Sequence, residues 1–98
     1  MIEEITKEEL FHAEQGACLV EFYTPSCPYC KMLEQKLLQL EKKGGELPIY
    51  RMNAENEPTF CEELGIRSVP VLIRFENAKE QSRRVGNLPT REIEELMQ

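Results

Sequence analysis

The stretch Ser26-Cys27-Pro28-Tyr29-Cys30-Lys31 constrains this chain more than any other. Two thiols stand three positions apart, with a proline directly after the first. Ahead of them runs the apolar segment Cys18 to Tyr23; behind them an amphipathic segment extends from Lys31 to Lys43. A strand that turns on Thr24-Pro25-Ser26 and feeds a helix leaves Cys27 at the helix N-terminus. Free N–H groups and the positive end of the helix dipole favour an anion there, and a thiolate is an anion. Pro28 agrees with this placement, because proline is preferred at the first helical position, where its missing N–H costs nothing. An ordinary thiol with a pKa of ~8.5 is roughly 3% ionised at pH 7, whereas one lowered to ~7 is about half ionised. The expectation is a redox dithiol in which Cys27 attacks and Cys30, within the first helical turn, resolves the mixed disulfide.

The rest of the chain supplies elements on either side of this motif. Ile2 to Ile5 reads as a short strand. Thr6-Lys7-Glu8-Glu9 is a capping box, with Ile5 and Leu10 as its hydrophobic staple, so a helix is expected from Lys7 to Glu14, ended by Gln15-Gly16. Cys18 to Tyr23 is a near-continuous apolar strand, expected to be central and covered on both faces. In the following helix Cys30, Leu33, Leu37 and Leu40 share one face, and Lys42-Lys43 with Gly44-Gly45 mark its end. Further strands are expected at Pro48 to Asn53, Pro70 to Phe75 and Gln81 to Val85. Between the first two lies a short helix capped by Asn56 and stopped by Gly65; between the last two, a turn from Glu76 to Glu80. Ile93, Leu96 and Met97 place a final helix in Pro89 to Gln98. The order β-α-β-α-β-α-β-β-α predicts an α/β fold. Its first three strands should be parallel and its last two an antiparallel hairpin, in one mixed central sheet with helices on both faces.

Composition narrows the function classes. At 98 residues the chain is expected to form a single domain over 1–98. Its 41% apolar and 31% charged content fits a folded globular protein. The 18 acidic residues, all glutamate, against 12 basic ones give a net charge of −6 and argue against nucleic acid as a ligand. No apolar run approaches the ~20 residues of a membrane span, and the acidic start is unlike a secretory signal. Cys18 and Cys61 fall inside expected elements, where cysteine acts as a small buried hydrophobe. One reactive pair in such a chain suits a reducing compartment, so a cytoplasmic location is expected.

Three positions admit two readings each. Cys-x-x-Cys is also half a zinc site, but the remaining candidate ligands, His12, Cys18 and Cys61, are not paired at ligand spacing. No metal and no other cofactor is therefore expected. Glu21 either sits buried behind the dithiol, with a raised pKa that lets it take the proton of Cys30, or reaches solvent or Arg51. Pro70 either stops an element or, more sharply, carries a cis bond after Val69.

The run Leu19 to Lys31 resembles the active-site strand and helix of the thioredoxin family. Gly65-Ile66-Arg67-Ser68-Val69-Pro70 is similar to that family's cis-proline loop, and Val85-Gly86-Asn87-Leu88 to the glycine turn before its last helix. The resemblance spans nearly the whole chain. It implies a thioredoxin fold with Cys27 as nucleophile and Cys30 as resolving thiol. Glu21 would stand in place of the family's buried aspartate, and Arg51 in place of an accompanying lysine. Pro70 would be cis beside the dithiol, and the Val69 backbone would pair with substrate, next to Pro28 and Tyr29. The sequence departs from the family in Pro28-Tyr29 (the pair of glutaredoxins), in Ser26 where tryptophan is usual, and in the longer Glu21. The resemblance implies a monomeric enzyme that reduces protein disulfides with electrons from a thioredoxin reductase. The alternatives are a glutathione-dependent, glutaredoxin-like reductase and, further off, a metal or iron–sulfur binding module.

Overall fold

Strand β2 (Ala17–Tyr23) is the axis of the molecule. Six of its seven residues are buried, as a nearly unbroken apolar run requires when both faces of a sheet are covered. The computed structural model describes residues 2–13, 16–45 and 47–98. Along the chain come β1 (Glu3–Glu4), α1 (Lys7–Ala13), β2, α2 (Pro28–Lys42) and β3 (Ile49–Asn53). A 3-10 turn (Ala54–Asn56), α3 (Pro58–Leu64), β4 (Val71–Glu76), β5 (Lys79–Val85) and α4 (Thr90–Met97) follow. The five strands form one sheet in the order β1-β3-β2-β4-β5. β3 runs parallel to both β1 and β2, whereas β4 is antiparallel to both β2 and β5. The mixed α/β sheet, its parallel half and its hairpin half are those expected from the element order.

The helices cover the two faces with different partners. Leu19 of β2 and Leu72 of β4 pack against Leu33, Leu37 and Leu40 of α2 and Ile93 and Leu96 of α4. Cys18, Val20 and Phe22 point the other way, into a cluster with Leu10 of α1, Phe60 and Cys61 of α3, and Phe75 of β4. Strand alternation sends consecutive residues to opposite faces, so Leu19 enters one core while Cys18, Val20 and Phe22 enter the other. Burying a Leu or Phe side chain contributes about 1.5–3 kcal/mol, so the two cores hold the sheet between them.

Local signals explain most boundaries. The capping box is formed: Glu9 N–H donates to Thr6 Oγ1 at 3.1 Å and Thr6 N–H to Glu9 Oε1 at 2.8 Å. The expected end of that helix at Glu14 and Gln15 lies outside the described residues. α3 stops at Gly65, whose φ of 71° is a left-handed cap that glycine adopts without a Cβ clash.

Four expectations are corrected. β1 is only Glu3–Glu4. Asn56 caps nothing: Asn53 accepts from Glu55 N–H at 2.9 Å to start the 3-10 turn, and α3 begins at Pro58 without a side-chain cap. β4 begins after Pro70, which has no N–H for the ladder. The turn expected over Glu76 to Glu80 shrinks to Asn77-Ala78, both at positive φ, so β5 starts at Lys79. Tight hairpins need this backbone handedness. Gly16 pins the turn, donating to Asn77 Oδ1 and accepting from Asn77 N–H, both at 2.9 Å.

Candidate active site

The dithiol sits where β2 hands over to α2. Cys27 is the N-cap of α2 in an extended conformation, and its Sγ accepts the Cys30 N–H at 3.1 Å. A sulfur thus takes the role that Ser or Asp oxygen usually plays at a helix start. The same N–H and the helix dipole stabilise negative charge on Cys27 once the bond to Cys30 opens. Cys27 and Cys30 form a disulfide, with Cα atoms 5.2 Å apart. The two sulfurs differ in access: Cys27 is half-buried, whereas Cys30 is 2% exposed and belongs to the Leu33, Leu37, Leu40 face. An incoming reagent therefore meets Cys27 first.

Two loops complete the site. The Val69–Pro70 bond is cis, and Val69 O lies 4.0 Å from Cys27 Sγ. In the disulfide this sulfur has no proton to give, so the pair is a contact; in the dithiol form it can become a weak S–H···O bond. Pro70 O accepts the Gly86 N–H at 2.9 Å, which fastens the proline loop to the end of β5. Lys36 Nζ of α2 then donates to Asn87 Oδ1 at 3.0 Å and to Leu88 O at 2.7 Å. Helix, proline loop and the loop after β5 are thereby tied together around the dithiol. Pro28 and Tyr29 stand on the outer side, Tyr29 being 63% exposed. Beside the proline loop lies a groove of about 270 Å³, lined by Thr24, Ala54, Cys61, Ile66, Ser68 and Val69. Cys61 contributes its side to this wall from a buried position, with Sγ 3.9 Å from Ala54 O. Burial, and then the nearby Glu57, raises its thiol pKa and keeps it in the unreactive protonated form.

Behind the dithiol lies Glu21, 1% exposed. Neither of its carboxyl oxygens has a hydrogen-bond partner among the described residues. Burial, reinforced by the Glu34 carboxylate and opposed by Arg51, raises its pKa from 4.5 to about 8. Arg51 stands opposite Glu21 in the β2–β3 register, as expected for a paired position. Yet its charge is engaged elsewhere. Its Nε is 2.9 Å from Glu34 Oε2 of α2, an ion pair without hydrogen-bond alignment, and its guanidinium carbon lies 3.8 Å from the Tyr23 ring centre. Glu21, Cys30, Glu34, Arg51 and Tyr23 line one small cavity of about 20 Å³. That is room for a single water, enough to carry a proton between thiol and carboxyl.

The seven residues expected to react or to meet substrate, and Arg51 beside Glu21, therefore gather at one end of the sheet. Pro28, Tyr29 and Cys27 face outward, Val69 and Pro70 flank them, and Cys30 and Glu21 lie beneath. Sequence reasoning passed over Glu34 and Lys36. Glu34 had a usable signal, since it is one helical turn beyond Cys30 and so on the same side of α2. Lys36 had none, because its partners are more than fifty positions away. No group of three or more His, Cys, Asp or Glu suited to a metal occurs among the described residues.

Comparison with known proteins agrees with this geometry. The family model described as Thioredoxin matches residues 2–98. A thioredoxin of Chlamydia caviae is 37% identical over 71 residues, covering 72% of this chain and 70% of that protein. The chloroplastic M-type thioredoxin of Pisum sativum is 27% identical over 92 residues, 93% of this chain. The chain spans 54% of the length of that pea protein and 42% of the chloroplastic thioredoxin M4 of Arabidopsis thaliana. In fold, the oxidized form of mitochondrial thioredoxin 3 from Saccharomyces cerevisiae superposes with a TM-score of 0.83. That match covers 97% of this chain and 92% of the yeast chain at 16% identity. With its family match running from residue 2 to residue 98, and the dithiol, cis-proline and buried carboxyl in one constellation, this chain belongs to the thioredoxin family.

Proposed function

We propose that this protein is a thiol–disulfide oxidoreductase that reduces protein disulfides through Cys27 and Cys30, without a cofactor. The observation that carries this reading is the asymmetric pair: an accessible sulfur capping a helix, 3.1 Å from the Cys30 N–H, above a buried sulfur with a carboxyl behind it. In the reduced enzyme the Cys27 thiolate attacks one sulfur of a substrate disulfide. A Cys27–substrate bond forms, the substrate S–S bond breaks, and the departing sulfur takes a proton from water. Cys30 then gives its proton to ionised Glu21, directly or through one water, and keeps the electron pair. Its thiolate attacks Cys27; the Cys27–Cys30 bond forms, the mixed disulfide breaks, and the second substrate sulfur leaves and is protonated. Two electrons have moved to substrate, and Glu21 returns its proton to solvent. Only ionised Glu21 can accept a proton, so resolution should quicken as pH rises toward about 8.

The groove beside Val69 and the exposed Tyr29 give an extended substrate segment somewhere to lie. Electrons would come from a thioredoxin reductase, and the site of action would be the cytoplasm, with the protein acting as a monomer. Pro28-Tyr29 between the cysteines favours glutathione as the second candidate donor. Reduction of the oxidised protein by NADPH with thioredoxin reductase, set against reduction by glutathione, separates the two.

The reductase reading is tested on the cysteines. Cys27→Ser should abolish disulfide reduction, and Cys30→Ser should accumulate a covalent adduct with a protein substrate. Turnover retained by Cys27→Ser would overturn the reading.

A further inference from the structure

Three chain segments bring charge to the cavity behind Cys30. Glu21 comes from β2, Arg51 from β3 and Glu34 from α2. A buried carboxyl beside an arginine on the neighbouring strand would ordinarily close an ion pair with it and stay ionised. Here the arginine is diverted. Its Nε is 2.9 Å from Glu34, its guanidinium covers Tyr23, and both Glu21 oxygens are left without a hydrogen bond among the described residues.

The groups that surround Glu21 can be taken element by element. On its own strand is Tyr23, whose hydroxyl is pushed up to about 12 by burial and by Glu4 of β1. β3 contributes Arg51, and on β4 the apolar Leu72 stands opposite Glu21, while Arg74, two residues on, is bound to Glu76 and to Leu96 O. α2 contributes Cys30, Lys31 and Glu34 at the cavity wall. Among these, Glu34 is the second carboxylate, and its side chain is 20% exposed while that of Arg51 is 29%. The Glu34–Arg51 pair thus forms the outer rim of a cavity whose floor is Glu21 and Cys30.

We propose that Glu34 is a positioning residue for the resolving step: by holding Arg51 at the cavity rim it keeps Glu21 out of an ion pair and available to receive and release the Cys30 proton. The inference rests on the dithiol-exchange reading above. Glu34 touches no reacting atom; it acts through Glu21. A carboxyl locked to Arg51 would stay ionised and be a poor proton acceptor. One sharing its cavity with a second negative charge holds its proton more tightly, as burial and Glu34 together do here.

The sign of one substitution decides between this role and a simple brace. Glu34→Gln removes the negative neighbour and frees Arg51 to pair with Glu21, so the titration midpoint of Glu21 should fall by about one pH unit or more. If Glu34 only anchored Arg51, its loss would let the cation swing into solvent, and the midpoint would rise or stay where it was. The readout is a carbon-13 NMR titration of glutamate carboxyls in the full reduced chain, which needs no turnover. Glu34→Asp should restore most of the midpoint. Arg51→Gln, a second and independent variant, should raise it. The pH midpoint of mixed-disulfide resolution, followed by stopped flow, should move with the NMR midpoint in each variant. An unmoved or raised Glu21 midpoint in Glu34→Gln, or an unmoved one in Arg51→Gln, overturns the proposal. Neither outcome touches the assignment of Cys27, which stands or falls on turnover by Cys27→Ser.

Discussion

Glu21 and Phe22 are consecutive residues of one strand, both buried, and they face two differently built halves of the molecule. Phe22 enters an apolar half. Its ring centre lies 6.0 Å from that of Phe60 and 6.4 Å from that of Phe75, and Phe11 meets Phe60 edge-on at 5.7 Å. Glu21 enters the half that holds Leu33, Leu37 and Leu40, at the end where Cys30 and the cavity lie. A buried carboxyl with no hydrogen bond costs stability, on the order of a few kcal/mol. The comparison teaches a division of labour across the sheet: one face supplies stability through apolar packing, the other gives up part of it to bury a carboxyl.

Three measurements can break or sharpen that contrast. The largest effect should come from Phe22→Ala, which empties the aromatic cluster and should cost about 3–5 kcal/mol in urea unfolding. Any folded fraction should keep the wild-type pH profile of resolution; a displaced profile would show that the two faces are not separable.

Next comes the pH dependence of stability. Folding raises the Glu21 pKa from 4.5 to about 8, so the native state holds a proton that the unfolded chain gives up. This contribution is complete below pH ~4.5 and is lost as pH rises toward about 8, at about 1.4 kcal/mol per pH unit inside the window. Glu21→Gln has no such proton, so unfolding midpoints taken from pH 5 to pH 8 should decline less steeply than in the wild type. The same variant should slow resolution by Cys30 more than attack by Cys27. Parallel stability curves would contradict the picture of a carboxyl buried in its protonated form.

The smallest effect belongs to Thr6→Ala. It removes one half of the capping box at the start of α1 and should cost about 1 kcal/mol. Turnover should be unchanged. A loss of activity larger than the loss of stability would mean that the apolar face reaches the dithiol after all.

Legibility in the sequence followed the range of the interaction. The dithiol at a helix start was readable because Pro28, Cys27 and the preceding strand act over a few residues. The buried face of α2 was readable because Cys30, Leu33, Leu37 and Leu40 repeat at helical spacing. Asn56 was misassigned because Asn53, three residues earlier, offers the same capping chemistry and only the packing of the turn chooses between them. The two-residue hairpin turn stayed hidden behind Ala78, a residue that seldom adopts positive φ; the backbone bonds of Gly16 to Asn77 hold it there. The placement of β4 beside β2, and the diversion of Arg51 to Glu34, join distant segments and leave no local pattern. The site residues were visible one by one, but their electrostatics came only with the fold.

Lys36 carries a consequence of another kind. By gripping Asn87 and Leu88, while Gly86 holds Pro70, it makes the rim of the active site a preset slot rather than a hinge. A protein partner arriving at such a slot must supply the pliancy itself, since the ordering of chain on docking falls on whichever side is loose. Under the proposed function, disulfides in frayed or unfolded segments should be favoured over identical bonds in tight folds. Rates for one substrate measured folded and in mild urea, at concentrations that leave the enzyme native, would show it. Equal rates, once disulfide exposure is matched, would locate the give in the enzyme instead.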